Sequence, residues 1–249
     1  MMQQEPQRRP KPMRFESTVL DAIDLTPAMR RLTLGGPQMA AWLARENPEA
    51  PAAWVKLFPP GREGRAYTIR GIHRGIGAID IDFVLHGEPG ADDGSVSSWA
   101  KYAQPGDGLQ LAGPRDGGFQ LLPDSGWLWL AADATALPAA QRILQSLPPA
   151  LQVQALLVVH GDEEHQPLQC AARLQTEWRH ELQAAQRLDA GDQVLARIFK
   201  LSGPGQVWAA GESDWVRGWR GFWLDDMGLA RERVAVKGYW KIGERDHRG

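Results

Sequence analysis

The stretch Arg65-Ala66-Tyr67-Thr68-Ile69-Arg70 gathers side chains that could together hold an extended anionic ligand. On a strand, Arg65 and Tyr67 point to one face, and Thr68 stands at the neighbouring edge. The stretch then offers a guanidinium for phosphate oxygens, a flat ring for stacking and a hydroxyl for a polar ring atom. Those are the needs of a flavin dinucleotide. An edge strand with solvated arginines and a half-buried tyrosine accounts for the same residues. Other chemically capable side chains are dispersed. The histidines include no His-x-x-x-His or His-Glu-x-x-His pair; His160, His165 and His180 fall on separate loops and strand ends, so no permanent protein-held iron site is expected. Cys170 is the single cysteine, which excludes an internal disulfide and fits a reducing compartment. Asp162-Glu163-Glu164 reads most simply as a solvated loop. Trp215, Trp219, Phe222 and Trp223 fall at i, i+4, i+7 and i+8, one helix face, which packing against a sheet explains.

Two kinds of structure must position these residues. In the first half, residues 15–23, 29–34, 54–58, 65–70, 79–86 and 109–112 read as strands separated by Gly/Pro turns, as in a small barrel or sandwich. The clearest is 79–86, where Ile79, Ile81, Phe83 and Leu85 alternate with Asp80, Asp82, Val84 and His86. Residues 39–52 form a loop or short helix, and 95–103 a short helix. Near residue 120 the pattern changes. Residues 127–132 make an apolar strand without alternation, as expected when both faces are covered. Helices at 138–147, 192–201 and 213–227 then intervene between strands at 153–160, 176–180, 207–210 and 234–239. Such alternation indicates a parallel sheet. The expected fold is a β-barrel plus α/β: a flexible arm at 1–13, an antiparallel barrel at 14–121, and a parallel-sheet NAD(P)-binding-type domain at 122–249.

The 249 residues suit two domains, and 43% hydrophobic with 23% charged residues excludes disorder. A net charge of -2 supplies no bulk basic field for nucleic acid. No apolar run approaches the ~20 residues that span a bilayer. The polar start MMQQEPQRRPKPMRF lacks the apolar core of a secretory signal, so the cytoplasm is the expected location.

The Arg65–Thr68 arrangement resembles the Arg-x-Tyr-Thr/Ser flavin motif of ferredoxin-reductase-like flavoproteins. More specifically, the chain resembles the siderophore-interacting protein family of bacterial ferric-siderophore reductases. In the first half the matching pieces are Val55-Lys56-Leu57-Phe58, the flavin motif, Asp82-Phe83-Val84-Leu85-His86-Gly87, Trp99-Ala100, Gln104-Pro105-Gly106-Asp107 and Leu111-Ala112-Gly113-Pro114-Arg115. In the second half they are Asp133-Ala134-Thr135-Ala136-Leu137-Pro138, Ala210-Gly211-Glu212 and Gly238-Tyr239-Trp240-Lys241. The resemblance implies an FAD-binding barrel, a nicotinamide-nucleotide domain and one-electron reduction of chelated ferric iron. It assigns Arg65, Tyr67, Thr68, His86, Ser95, Val96, Ser97 and Trp99 to FAD, and Asp133 with Thr135 to cofactor binding at the second domain. Lys56, which points away from Val55 and Leu57, and Lys241 are implied at the mouth of the pocket, where they would attract an anionic ferric chelate.

Two segments depart from the family pattern. Gly94-Ser95-Val96-Ser97-Ser98-Trp99-Ala100 replaces Gly-Pro-Ala-Ser-Arg-Trp-Ala, placing Ser98 where an arginine is usual, and the preceding loop 88–93 is longer and more acidic. Ser95 or Ser97 can still cap the helix, and its first-turn N–H groups suit a pyrophosphate. Ala132-Asp133-Ala134-Thr135 replaces Gly-Asp-Glu-Thr. There Thr135 can cap the next helix, with Pro138 tolerated in its first turn, facing a nicotinamide ribose or pyrophosphate. No Gly-x-Gly-x-x-Gly fingerprint is present.

The reading is a cytoplasmic, FAD-dependent ferric-siderophore reductase with no classical catalytic triad, taking electrons from NADH or NADPH, or, as in some members, from a ferredoxin. Three carboxylates at 162–164, after the second strand of the sheet, would repel a 2′-phosphate, so NADH is expected to serve at least as well as NADPH. The alternatives are a flavin or ferredoxin-type oxidoreductase with another acceptor, and a non-enzymatic ferric-siderophore carrier.

Overall fold

A computed structural model describes residues 13–86, 93–180, 190–199 and 203–244. The expected arm at 1–13 and acidic loop at 88–93 lie almost wholly outside these residues. In the first half, β1 (Phe15–Thr26), β2 (Met29–Gly35), β3 (Trp54–Phe58), β4 (Arg65–His73), β5 (Ala78–Val84) and β6 (Gly108–Arg115) close an antiparallel barrel in the order β1-β2-β5-β4-β3-β6. Alternate residues Val55, Leu57, Ile69, Ile79, Ile81 and Phe83 fill its interior. The segment after Gly36 is a helix, α1 (Pro37–Arg45), begun by a proline whose missing N–H is not needed in a first turn. It lays Trp42 and Leu43 against the barrel core. The short helix α2 (Val96–Tyr102) follows β5.

The second half is a parallel sheet of β7 (Trp127–Asp133), β8 (Gln152–Val159), β9 (Arg173–His180), β10 (Gly205–Glu212) and β11 (Val234–Trp240), ordered β11-β10-β7-β8-β9. Helices α3 (Leu137–Ser146), α4 (Ala190–Phe199) and α5 (Ser213–Gly221) accompany it. β7 and β10 are buried along their whole length, which is why they read as apolar runs. Leu128, Leu130 and Ala132 pack in the cluster that holds α3, whereas Trp127, Trp129 and Ala131 pack with Trp215, Trp219, Phe222 and Trp223. The tryptophan stripe is therefore core, as its spacing indicated. The helix expected over 213–227 is α-helical only to Gly221, and Phe222–Asp226 widens into a π-type turn.

Two features differ from the sequence reading. The alternation along β5 does not divide core from solvent, because Asp80 and Asp82 are buried too. Arg31 on β2 grips Asp82 through two bonds of 2.6 and 2.8 Å, while Thr33 and His73 engage Asp80 at 2.8 and 2.7 Å. Residues 162–164 are solvated only at Asp162 and Glu163, which are exposed. The three make a single 3₁₀ turn that buries Glu164. The Glu164 carboxylate reaches the barrel, accepting the Thr26 hydroxyl and the Ala28 N–H, the latter at 2.8 Å. A second link runs from Arg70 on β4 to Gln141 on α3 at 2.8 Å.

A charge-accepting contact of this kind that leaves two barrel donors unpaired when removed is worth ~1–3 kcal/mol. Glu164→Ala is expected to lower unfolding stability by that amount in urea titrations, with the far-UV spectrum of the native state unchanged.

Candidate functional site

A cavity of about 120 Å³ opens where barrel and sheet meet. Ala66, Tyr67, Thr68, Asp82, Val84, His86 and Ser97 line it from the barrel, and Thr135, Pro138 and Tyr239 from the sheet domain. A closed small-molecule pocket usually measures ~300–1,000 Å³, so this one seats part of a ligand and leaves the rest to the open crevice. The Tyr67 ring is braced on Phe83, centroids 4.5 Å apart. Burial pushes the Tyr67 hydroxyl up in pKa, against the pull of the nearby Arg65 charge. Burial likewise pushes Tyr239 up to about 12, opposed by its hydrogen bond with the Thr68 hydroxyl, which crosses between the domains. Both phenols are neutral at physiological pH. Asp82 also lines the cavity, but its pairing with Arg31 leaves no uncompensated negative charge in the wall.

The hydroxyls around the cavity already donate within the protein. Ser97 Oγ donates to the Val84 carbonyl at 3.0 Å, and Thr135 Oγ1 to Asp133 Oδ1 at 2.6 Å. Each therefore meets a ligand as an acceptor, which suits ring N–H groups and ribose hydroxyls. A cation stands near these hydroxyls at a position the sequence reading did not mark. Arg62, in the turn between β3 and β4, places Nη1 2.7 Å from the Ser95 carbonyl and 2.9 Å from Ser98 Oγ. Its charge sits at the start of α2, beside the serine that replaces the family's arginine. Ser95 is the helix cap, accepting the Ser98 N–H at 3.0 Å, whereas Ser97 is not. Asp93, bonded to the Ser95 side chain and to its N–H, is held down at about 2 and stays ionised just ahead of the helix.

Several residues stand differently from their expected roles. Val96 is fully buried in the barrel core, and Trp99 packs against the same core. Arg65 does not line the cavity, although its charge acts on Tyr67. Asp133 is not open to a cofactor. It is buried, and its Oδ1 accepts Thr135 N and Oγ1 and Ala136 N, while Oδ2 accepts Glu212 N at 2.8 Å and Trp240 Nε1 at 2.7 Å. Burial raises its pKa, and these donors oppose the rise. Thr135 does not cap α3; Asp133 collects the N–H groups of that turn instead. The hub ties the ends of β7, β10 and β11 together below Thr135 and Tyr239. Gly211 has φ +146°, and a Cβ there would fall 2.5 Å from Asp133, which explains the glycine in Ala210-Gly211-Glu212.

Lys56 lies on β3 opposite Ala66 of the cavity wall, its Nζ 5.7 Å from the centre of the Phe58 ring. Two residues along β3, Trp54 is flanked by Arg115 at 5.7 Å and Lys237 at 5.1 Å. Lys237 escaped the sequence reading. Lys241 is half-buried and paired with Glu244 at 2.8 Å, outside the cavity lining. His165 and His180, read as scattered, have their Nε2 atoms 2.8 Å apart. With Glu164 turned into the barrel contact, two of the three carboxylates behind the NADH expectation, Asp162 and Glu163, remain exposed, with the imidazoles near Asp162.

Profiles of known families divide along the same lines as the structure. The siderophore-interacting protein profile matches residues 125–243, and that of the siderophore-interacting FAD-binding domain matches 62–118. A solved relative, a siderophore utilization protein from T. fusca, shares the fold at a TM-score of 0.78 and 31% identity, with 95% of each chain covered. The chain belongs to the siderophore-interacting protein family. It is 30% identical over 188 residues to the ferric vibriobactin reductase ViuB of Vibrio cholerae, covering 73% of this chain and 66% of that protein's length. It is 28% identical over 261 residues to the NADPH-dependent ferric-chelate reductase of Escherichia coli, covering 94% and 96% respectively. No helix among the described residues is long and apolar enough to cross a membrane.

Asp133→Asn would set an amide N–H₂ against one of the donors of the hub. A loss of ~1–3 kcal/mol in chemical unfolding is expected, as for other buried polar groups left without a partner. Gly211→Ala should destabilise in the same assay, because the same carboxylate has to move.

Proposed function

We propose that this protein is a cytoplasmic flavoenzyme that reduces ferric siderophores, with FAD in the inter-domain crevice and NADH or NADPH as the electron source. The observation that carries the reading is the junction cavity itself. Tyr67 and acceptor-type hydroxyls from both domains converge there, with Arg62 at the start of α2 and a cation-and-aromatic wall alongside. The donor set fits FAD. Tyr67 offers a face for the ring; Thr68, Ser97 and Thr135 accept N–H and O–H groups; Arg62 and Arg65 supply charge for the pyrophosphate. Bound FAD would take two electrons from a nicotinamide and deliver them singly, so that two ferric chelates are reduced per nucleotide. The chain's own contribution is to hold, orient and neutralise, and no side chain need move a proton for the iron step. The wall formed by Trp54, Lys56, Phe58 and Lys237 lies beside Ala66 and Thr68, where it would draw in an anionic chelate. Reduction favours release because Fe(II) binds hard oxygen ligands more weakly than Fe(III).

The test begins with the visible spectrum of the purified protein. A flavin spectrum is expected, followed by anaerobic formation of about two trapped ferrous ions per NAD(P)H consumed, by the electron count of the cofactor couple. Protein that binds ferric siderophore without a flavin would indicate a carrier. A flavin reduced by nucleotide but not reoxidised by any ferric chelate would indicate another acceptor.

Arg62→Ala and Tyr67→Ala are expected to purify with less FAD and release it faster, since a charge-assisted contact contributes ~1.5–3 kcal/mol. Fluorescence of released flavin measures both. Lys56→Ala should raise KM for anionic chelates at low salt, with the difference from wild type narrowing as salt screens the attraction.

A further inference from the structure

We propose that Asp162, His165 and His180, none of which lines the junction cavity, form a binding site for a divalent first-row transition-metal ion. The parallel pairing of β8 with β9 sets His180 opposite Val159, and the turn after β8 brings Asp162 and His165 back over that strand end. His165 Nε2 and His180 Nε2 are 2.8 Å apart, and Asp162 Oδ1 lies 3.4 Å from His180 Nε2 and 3.9 Å from His165 Nε2. A circle through three atoms at those separations has a radius of about 2.0 Å, the length of a zinc–imidazole or zinc–carboxylate bond. An ion at that centre would be within bonding distance of all three atoms, once the two imidazoles turn from their mutual hydrogen bond toward it.

The donor chemistry selects the class of ion. Two imidazoles and one carboxylate suit Zn²⁺, Fe²⁺, Ni²⁺ or Cu²⁺ rather than Ca²⁺ or Mg²⁺, which favour all-oxygen sites. The ligands are held in place. The His165 ring stacks on Trp178 of β9 with centroids 4.3 Å apart and planes within 20°. Glu164, between two of the ligands' positions in sequence, anchors the turn to Thr26 and Ala28. The imidazoles remain 33% and 37% exposed, which leaves water access to the other coordination positions. Without an ion, the same arrangement is an imidazole–imidazole contact beside an exposed carboxylate, a weak surface interaction. None of the three residues lines the crevice cavity, so metal binding and flavin content can be read separately.

The experiment uses the full chain without an affinity tag, stripped with a chelator and titrated with Zn²⁺ by calorimetry. Saturable binding of one ion per chain is expected. Affinity should fall at least tenfold in His165→Ala, His180→Ala and Asp162→Ala, the scale on which ligand-shell changes act. His160→Ala, a neighbouring histidine outside the cluster, should bind as wild type. Loading with Co²⁺ gives an independent signature, visible bands that are absent from the His165→Ala/His180→Ala double variant. Circular dichroism and flavin content establish that the variants are folded. Absence of saturable binding in the wild type, or wild-type affinity in the double variant, would overturn the proposal.

Discussion

Charged residues on the outer face of β2, β4 and β5 are buried or half-buried, and the crevice wall depends on how they are paired. Asp82 and Asp80 would be costly in that position alone. Breaking a buried pair typically costs ~3–5 kcal/mol, more than the pair itself contributes. Arg31 satisfies Asp82 in a two-bond grip, and the hydrogen bond to Asp82 raises the pKa of Arg31 against its own burial. Arg70, whose pKa burial lowers, is not left to Asp82 alone, 3.9 Å away, but donates to Gln141 of the other domain. Gln141 in turn bonds Gln166 at 3.2 Å, in the segment that Glu164 fastens to the barrel. The relative placement of the two domains thus depends on charge and amide pairing as well as apolar packing. A crevice wall containing a neutralised aspartate does not repel an anionic dinucleotide.

This arrangement also explains what could be read from the chain. The barrel and the parallel sheet were legible because their signals are local. Alternation at 79–85, unbroken apolar runs at 127–132 and 207–210, and the four-aromatic stripe at 215–223 each reflect a face that packs in one way. Tyr67, Thr68, His86, Ser97 and Thr135 were legible as a group through family motifs, and the cavity lining brings those five together. What the sequence hid depends on register between distant segments. Asp80 and Asp82 look like solvent positions until Arg31, Thr33 and His73 are set beside them. Arg62 carries no motif, and only the fold brings it to Ser98. Glu164 sits in an acidic triplet that elsewhere would be surface. His165 and His180 are 15 residues apart and meet only because β8 and β9 run parallel. Asp133 shows the reverse error. Its motif position suggested a ligand, yet five donors consume its carboxylate to fix the turn that carries Thr135.

That last distinction bears on how such a site works. Electron transfer through a bound flavin needs no acid or base poised at the iron, but it does need a cofactor held without slack and surroundings that do not reorganise. The chain meets this by committing its polar groups to one another first. The hydroxyls of Ser97 and Thr135 donate inward, the phenols of Tyr67 and Tyr239 are kept neutral by burial, and Asp82 is paired. What remains for a ligand is a set of acceptors and a ring face on a fixed frame. Cations stand at the margins, Arg62 hydrogen-bonded at the start of α2 and Lys56 and Lys237 against aromatic rings on the outer wall. A buried positive charge against the flavin would raise its potential and weaken its drive toward ferric iron. On the proposed function, cations at the rim would gather phosphate and chelate while the ring would lie in a pocket whose aspartate is paired.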